Sequence, residues 1–363
     1  MPQPALRILL VCKLADFTLA ENILQPLLAS GRVGHIHVLR DRPLEGCDSR
    51  VSFLTPPRPR RGSLRHLART RQGIRAVRQE GIDLVIGVLN TPHGWIGRYI
   101  AARTGRPYVH VAIAGAREFW VDGKLVERFN LWAFASAAAI TVTGSLTRQY
   151  LIRKGLKPER VHLMPNLPNA AFAQVPWHDG RRWDVVSLSR IDANKNVEML
   201  IRALALLPAA HRPRVAIGGD GSHLPQVKQL AHEMGVEQSI DFLGFVDGVE
   251  AKVRLLTQSK VFVSCSRGEG FPVSLLEAMA CGCVPVVTAV GDIADVVQTG
   301  VNGFLLTTPD STDELAVYLT RLLHDDALRL RLARAAYAAK EHYSVQRNGE
   351  RWADVLDGIS PHP

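Results

Sequence analysis

Long apolar runs are missing from this chain. The longest near-candidate, residues 131–142, contains Ser136 and Thr141 and stops at about a dozen residues, which predicts no membrane span. Lys13 and Asp16 cut short the apolar run 8–12, so no signal peptide is expected at the amino terminus. Cysteine is scarce and odd in number: five residues with no zinc or disulfide spacing. Cys281 and Cys283 flank one glycine and read as small buried residues. A disulfide-stapled secreted scaffold is thereby excluded, and a reducing, cytoplasmic setting is expected. No internal repeat of solenoid period is found. Acidic residues are sparse in one half only. Residues 1–170 hold 25 Lys and Arg against 11 Asp and Glu, an excess of fourteen positive charges. The remainder holds 19 basic and 23 acidic residues.

That asymmetry argues for two domains with different partners. A length of 363 residues and 47% hydrophobic content allow a sizeable core in each. Strand-like runs alternate with helical patterns throughout, which predicts parallel, doubly wound α/β sheets. Residues 1–166 read as the first domain and 167–343 as the second. Pro168, Pro176 and Gly180 mark a linker over 166–183.

The basic excess concentrates over 58–78, where eight arginines fall with no acidic residue between them. Leu64, Leu67, Ile74 and Val77 lie near one face of a helix expected from about 63 to 80. An ordinary surface helix that solvates its arginines is the plain reading. The arginine density points further, to an anionic membrane surface or a lipid-phosphate acceptor, with Arg65, Arg69 and Arg75 as contacts. Near predicted strand ends stand His93, His110 and Arg117. His110, inside a strand, reads as core. His93, in a Pro-His-Gly loop, is the better site candidate.

The most informative stretch is 261–306, VFVSCSRGEGFPVSLLEAMACGCVPVVTAVGDIADVVQTGVNGFLL. Residues 261–265 form a β-branched apolar run, expected as a buried strand. Gly268 and Gly270 permit a tight turn. Pro272 suits the first turn of a helix over 274–281. Glu269 then lies in the loop at a strand's carboxyl end, and Glu277 about a turn into the helix. Open α/β sheets bind ligands at that edge. In the 270–273 stretch the backbone N–H groups of Gly270, Phe271 and Val273, on either side of Pro272, carry the positive end of the helix dipole. Two acceptors beside such donors suit a polyhydroxylated, anionic ligand such as a nucleotide sugar. Carboxylates at this spacing can also be mere solvated surface.

The whole string Glu-Gly-Phe-Pro, Glu277-Ala-Met-Ala, Gly-Cys-Val-Pro-Val-Val and Val-Asn-Gly-Phe-Leu-Leu resembles the Glu-x7-Glu signature of glycosyltransferase family 4. The resemblance implies the GT-B fold: two facing Rossmann-like domains with a cleft between them. It implies a retaining transfer from a nucleotide-diphosphate sugar bound by the second domain to an acceptor bound by the first. Arg190 and Lys195, five residues apart after a strand, resemble the loop that holds the donor diphosphate. Gly219 and Asp220 match a second family loop. Phe245 and Val246 match the segment that flanks the nucleobase. Glu277 would hold the ribose and Glu269 the sugar. The final stretch, 344–363, resembles the helix that crosses back to the first domain. Many members carry a Gly-Gly pair after the first strand; here the segment begins at Lys13 and has none. The chain also has no Asp-x-Asp, so no obligatory metal or other cofactor is expected. The implied partners are a nucleotide sugar and a glycan or lipid-linked acceptor, without nucleic acid; the arginine-rich segment adds an anionic membrane surface, on its inner face. Polysaccharide or glycoconjugate synthesis would be the setting. Two other readings fit parts of the sequence: a GT-B-type sugar-nucleotide 2-epimerase, and a non-enzymatic polyanion-binding protein.

Overall fold

Leu6–Val11 is a run of Leu, Ile and Val around one arginine, and its last four residues are fully buried. A strand so apolar must be covered on both faces, which requires a parallel sheet under helices. The computed structural model describes residues 5–57, 62–120 and 123–359 and shows two such sheets. Arg58, Arg60 and Arg61 of the arginine-rich segment lie outside the described residues.

The first sheet contains β1 (Leu6–Val11), β2 (Val33–Leu39), β3 (Val51–Leu54), β4 (Leu84–Val88), β5 (Tyr108–Ala112), β6 (Ala139–Val142) and β7 (Val161–Leu163). Their order is β3-β2-β1-β4-β5-β6-β7, all parallel. The second contains β8 (Trp183–Leu188), β9 (Val215–Gly218), β10 (Ile240–Gly244), β11 (Ser259–Ser264), β12 (Val284–Thr288) and β13 (Phe304–Leu306). Its order is β10-β9-β8-β11-β12-β13, again all parallel. Each sheet lies between two apolar clusters. These are two Rossmann-like α/β layers, the GT-B class of architecture.

The chain divides into two compact units, 1–166 with 345–363, and 167–344. The last helix, Val345–Asp357, packs in the first unit. Its Trp352, Val355 and Leu356 are buried with β1 and β2 residues, and Arg32 forks onto Asp357 at 2.7 and 2.9 Å.

Three expectations need correction. Residues 166–183 are not bare linker: Ala170–Ala173 is a helical turn capped by the Asn169 side chain, and Phe172 is fully buried in the second unit's core. The helix Gly62–Gln79 forms, with Val77 buried, but Leu64 and Leu67 stay exposed instead of packing on the sheet. Arg69 cannot meet a membrane surface. It is buried, donates to His93 Nε2 at 2.8 Å and pairs with Asp41. Arg65 and Arg75 are exposed.

Candidate active site

The order of the second sheet reverses between β8 and β11, which pair with Val185 opposite Val261. The loops that leave these strands therefore start as neighbours, at the place where open sheets take their ligands.

The loop after β8 runs from Ser189 to Asn196. Asp192 shapes it by accepting the backbone N–H groups of Asn194 at 3.0 Å and Lys195 at 3.1 Å. Asn196 adopts φ +50, a conformation that asparagine tolerates, and hands the chain to the helix Val197–Ala205. Two side-chain amides tie this loop to the one after β11: Asn194 donates to Gly268 O at 2.9 Å and Asn196 to Cys265 O at 3.3 Å. The result places Lys195 Nζ 2.5 Å from Glu269 Oε1. Arg190 pairs with Asp192 at 3.1 Å and is otherwise exposed.

Two glycines are required by close approach. Gly219 has φ +141, and a Cβ there would lie 1.8 Å from Ser189 O. Gly291 has φ +59, and a Cβ would lie 2.1 Å from Glu269 O, while Asp292 N donates to Gly270 O at 2.9 Å. The turn after β12 thus seats the Glu269 loop from behind.

The helix Val273–Ala280 follows, with Pro272 just before its first residue. Glu277 lies about one turn in and is buried. Burial pushes its carboxyl pKa up, and the Lys252 ammonium, 3.5 Å away, pulls it back. Leu188, Ser189, Arg190, Lys195, Gly219, Asp220, Phe245, Val246, Lys252, Ser274 and Glu277 line one cavity of about 340 Å³. Arg190, Lys195 and Lys252 give its wall three cations against the carboxylates of Asp220 and Glu277. Phe245 is 75% exposed and offers a free ring face at the rim. Phe271 is buried, with its ring tilted against that of Tyr343 at a centroid distance of 5.8 Å, so its side chain serves the core.

The structure thus brings Arg190, Lys195, Gly219, Asp220, Phe245, Val246 and Glu277 into one wall, with Glu269 bound to it through Lys195 and the 270–273 stretch beside it. Lys252, Ser189 and Ser274 were not singled out from sequence. Lys252 sits on the helix Val249–Thr257, and no local pattern marks which face of that helix meets Glu277. His93, Arg65, Arg69, Arg75 and Arg117 belong to the first unit. His93 is buried in the short helical turn Asn90–Gly94, which contains a cis Thr91–Pro92 bond, and not in an open loop. Its Nε2 faces an arginine, which only donates, so Nε2 is the acceptor and Nδ1 carries the proton. Burial first, and Arg69 next, lower its pKa to about 4, so the ring is neutral at pH 7. Arg117 is exposed at the start of Arg117–Trp120. His110 is fully buried in β5, as its place in a strand suggests.

Residues 21–167 match the family model described as glycosyl transferase 4-like domain, and residues 171–339 match that described as glycosyl transferases group 1. The chain belongs to the family 4-like GT-B glycosyltransferases. A stretch of 145 residues is 32% identical to an uncharacterized glycosyltransferase of Methanocaldococcus jannaschii, covering 40% of this chain and 37% of that one. Another of 152 residues is 31% identical to N-acetyl-α-D-glucosaminyl L-malate synthase of Bacillus anthracis, covering 42% and 39%. These matches span less than half of either relative. Among solved structures, Anabaena HepE in complex with UDP superposes with a TM-score of 0.76 at 20% identity, covering 98% of this chain and 100% of that one. The lipopolysaccharide outer core galactosyltransferase WaaB gives 0.74 at 14% identity, covering 97% and 99%. Both likenesses concern the GT-B fold. No helix among the described residues of this glycosyltransferase is long and apolar enough to cross a membrane.

Proposed function

We propose that this glycosyltransferase moves a sugar from a nucleotide-diphosphate sugar to a hydroxyl of a glycan or lipid-linked acceptor, with retention of configuration. The observation that carries the reading is the cavity at the reversal point of the second sheet, where Arg190, Lys195 and Glu277 share one wall. The second unit is the donor side. Glu277 accepts the ribose hydroxyls, and Phe245 and Val246 flank the base. Arg190 and Lys195 hold the diphosphate, and Asp220 borders it. Lys195 exchanges Glu269 for phosphate as donor enters, which frees Glu269 for the sugar hydroxyls beside Gly270 and Val273.

Bond cleavage leaves new negative charge on the departing diphosphate. Arg190 and Lys195 oppose charge that is larger in the transition state than in the ground state. The acceptor proton leaves to the same phosphate, so no protein base is invoked and no metal is assigned a part. The first unit takes the acceptor. His93 Nδ1–H is a neutral donor there, and Arg117, Arg65 and Arg75 are exposed cations for an anionic acceptor. A 24% identical Campylobacter jejuni relative, aligned over 78% of this chain, is named for transfer to an undecaprenol-linked glycan, which supports an acceptor of that kind. With such an acceptor the enzyme works at the inner face of a membrane as a peripheral protein.

A thermal-shift screen with UDP-, GDP-, ADP- and dTDP-sugars tests donor binding, since bound ligand raises stability by mass action. One nucleotide class is expected to raise the melting temperature. Donor turnover should then require an acceptor. Turnover without one would replace the transferase with an epimerase. Arg190→Ala and Lys195→Ala should lower kcat more than they raise the donor KM. A rise in KM alone in both would remove their catalytic role.

A further inference from the structure

The helix Lys124–Ala135 carries its polarity the wrong way round for a globular surface. Asn130 is buried: it accepts Trp95 Nε1–H at 2.9 Å and donates to Phe119 O at 3.2 Å. Ala133 and Phe134 are buried beside it. The outward positions recur at four- and three-residue steps as Leu125, Phe129 and Trp132. Leu125 is 81% and Trp132 74% exposed, with Phe129 exposed between them. The Phe129 ring meets Trp95 edge-on at 4.9 Å and Trp132 at 5.7 Å, so the aromatics form one continuous surface. Tyr99, exposed on the helix Trp95–Thr104, faces the same groove of about 900 Å³.

Cations surround this surface. Lys124 and Arg128 stand on the helix itself. Arg98 and Arg160 line the groove and bind carbonyls near the helix end, Ala133 O and Ala135 O. Glu127 is engaged by Lys154 and the Tyr150 hydroxyl, both at 2.6 Å. Among the described residues, none of the four cations has a carboxylate within ion-pair distance.

An aliphatic and aromatic stripe between Lys and Arg side chains that no carboxylate among the described residues engages matches the layered chemistry of a bilayer boundary. Trp, Tyr and Phe favour the depth of the headgroups, and anionic headgroups complement the cations. We propose that this face docks the first unit on an anionic phospholipid surface. Leu125, Phe129 and Trp132 enter the acyl boundary, and the cations meet the headgroups. The inference rests on the lipid-linked reading of the acceptor, and it moves the membrane contact from the 65–75 arginines to a different helix.

Flotation of the full chain with vesicles tests it, without donor or acceptor present. Vesicles of phosphatidylglycerol and phosphatidylcholine should carry the wild type, less so as salt rises, and pure phosphatidylcholine vesicles much less. Phe129→Ser with Trp132→Ser should cut partitioning by about tenfold or more. Leu125→Gln, at the most exposed position of the stripe, should cut it by about threefold with unchanged melting, which guards against a folding artefact. Arg65→Gln with Arg75→Gln should leave it unchanged. The donor thermal shift, measured on the same variants, separates loss of docking from failure of the transferase reading. No flotation of the wild type, or equal flotation of the stripe variants, overturns the proposal. Wild-type dimers that the stripe variants abolish, without vesicle binding, would reassign the face to self-association.

Discussion

Glu277 stands between two opposing influences. Its burial favours the neutral acid, and Lys252 at 3.5 Å favours the carboxylate. In the proposed role of Glu277 the charged form is the better acceptor for ribose hydroxyls, and the lysine favours that form. Glu277→Gln should weaken donor binding by roughly 1.5–3 kcal/mol, about ten- to a hundredfold in Kd, with the fold intact. Calorimetric titration checks this, and an unchanged Kd in the folded variant removes Glu277 from the site. Lys252→Ala makes a sharper prediction about pH. Without the ammonium, the raised pKa of Glu277 moves further up, and the carboxyl is protonated over a wider range. Donor affinity in the variant should then start to fall at a higher pH than in the wild type as the solution is acidified. Parallel pH profiles would show that Lys252 does not control Glu277. The importance of Glu277 is suggested by its place in the Glu-x7-Glu string; its dependence on Lys252 is not, because the two meet only when their helices pack.

At the scale of elements, the loops between strands shape the donor wall, and glycine sets how close they come. Gly219→Ala must relieve both φ +141 and a Cβ 1.8 Å from Ser189 O. The two loops separate, at a cost of about 1–3 kcal/mol in stability. A lower melting temperature and donor binding at least tenfold weaker are expected. A variant that keeps wild-type donor affinity would show that this approach is not needed. The sequence displays much of this level. β-branched runs mark β4 and β9, and the Gly-Glu-Gly-Phe-Pro punctuation marks the turn into Val273–Ala280. It does not display Gly291 as a support for Glu269, since that contact links β12 to β11. The apolar run 131–142 is also opaque in one dimension. It joins the end of a helix at Ala135, a turn, and β6, so two periodicities overlap within it. The outward stripe of Lys124–Ala135 is hidden for the same reason: periodicity shows an apolar face but not which way the helix turns it.

For the molecule as a whole, two buried groups in the first unit set limits on stability from opposite sides of the pH scale. His110 lies under Phe134, with ring centroids 3.8 Å apart, and its Nε2 is 3.0 Å from Asn90 Oδ1. Burial lowers its pKa to about 3, so the fold holds it neutral. Its contribution is complete above the ordinary histidine value and is lost as pH falls from about 6.5 toward 3. Glu118, 3.9 Å from His110, behaves oppositely. Oε2 accepts Ala114 N–H at 3.2 Å, and Oε1 is buried with no hydrogen-bond partner among the described residues. Burial raises its pKa to about 8, so the fold holds it as the acid. Between the ordinary value of 4.5 and about 8 the unfolded chain binds fewer protons than the folded one. Stability must therefore decline across that window and level off above it. Glu118→Gln keeps the shape and removes the titration. Its melting temperature should exceed that of the wild type by roughly 10 °C or more at pH 9, and the difference should shrink to near zero at pH 5. Scanning calorimetry at the two pH values reads both. Equal melting of the two proteins at pH 9 would mean that Glu118 ionises freely in the folded chain, and that the unit tolerates a buried carboxylate beside His110.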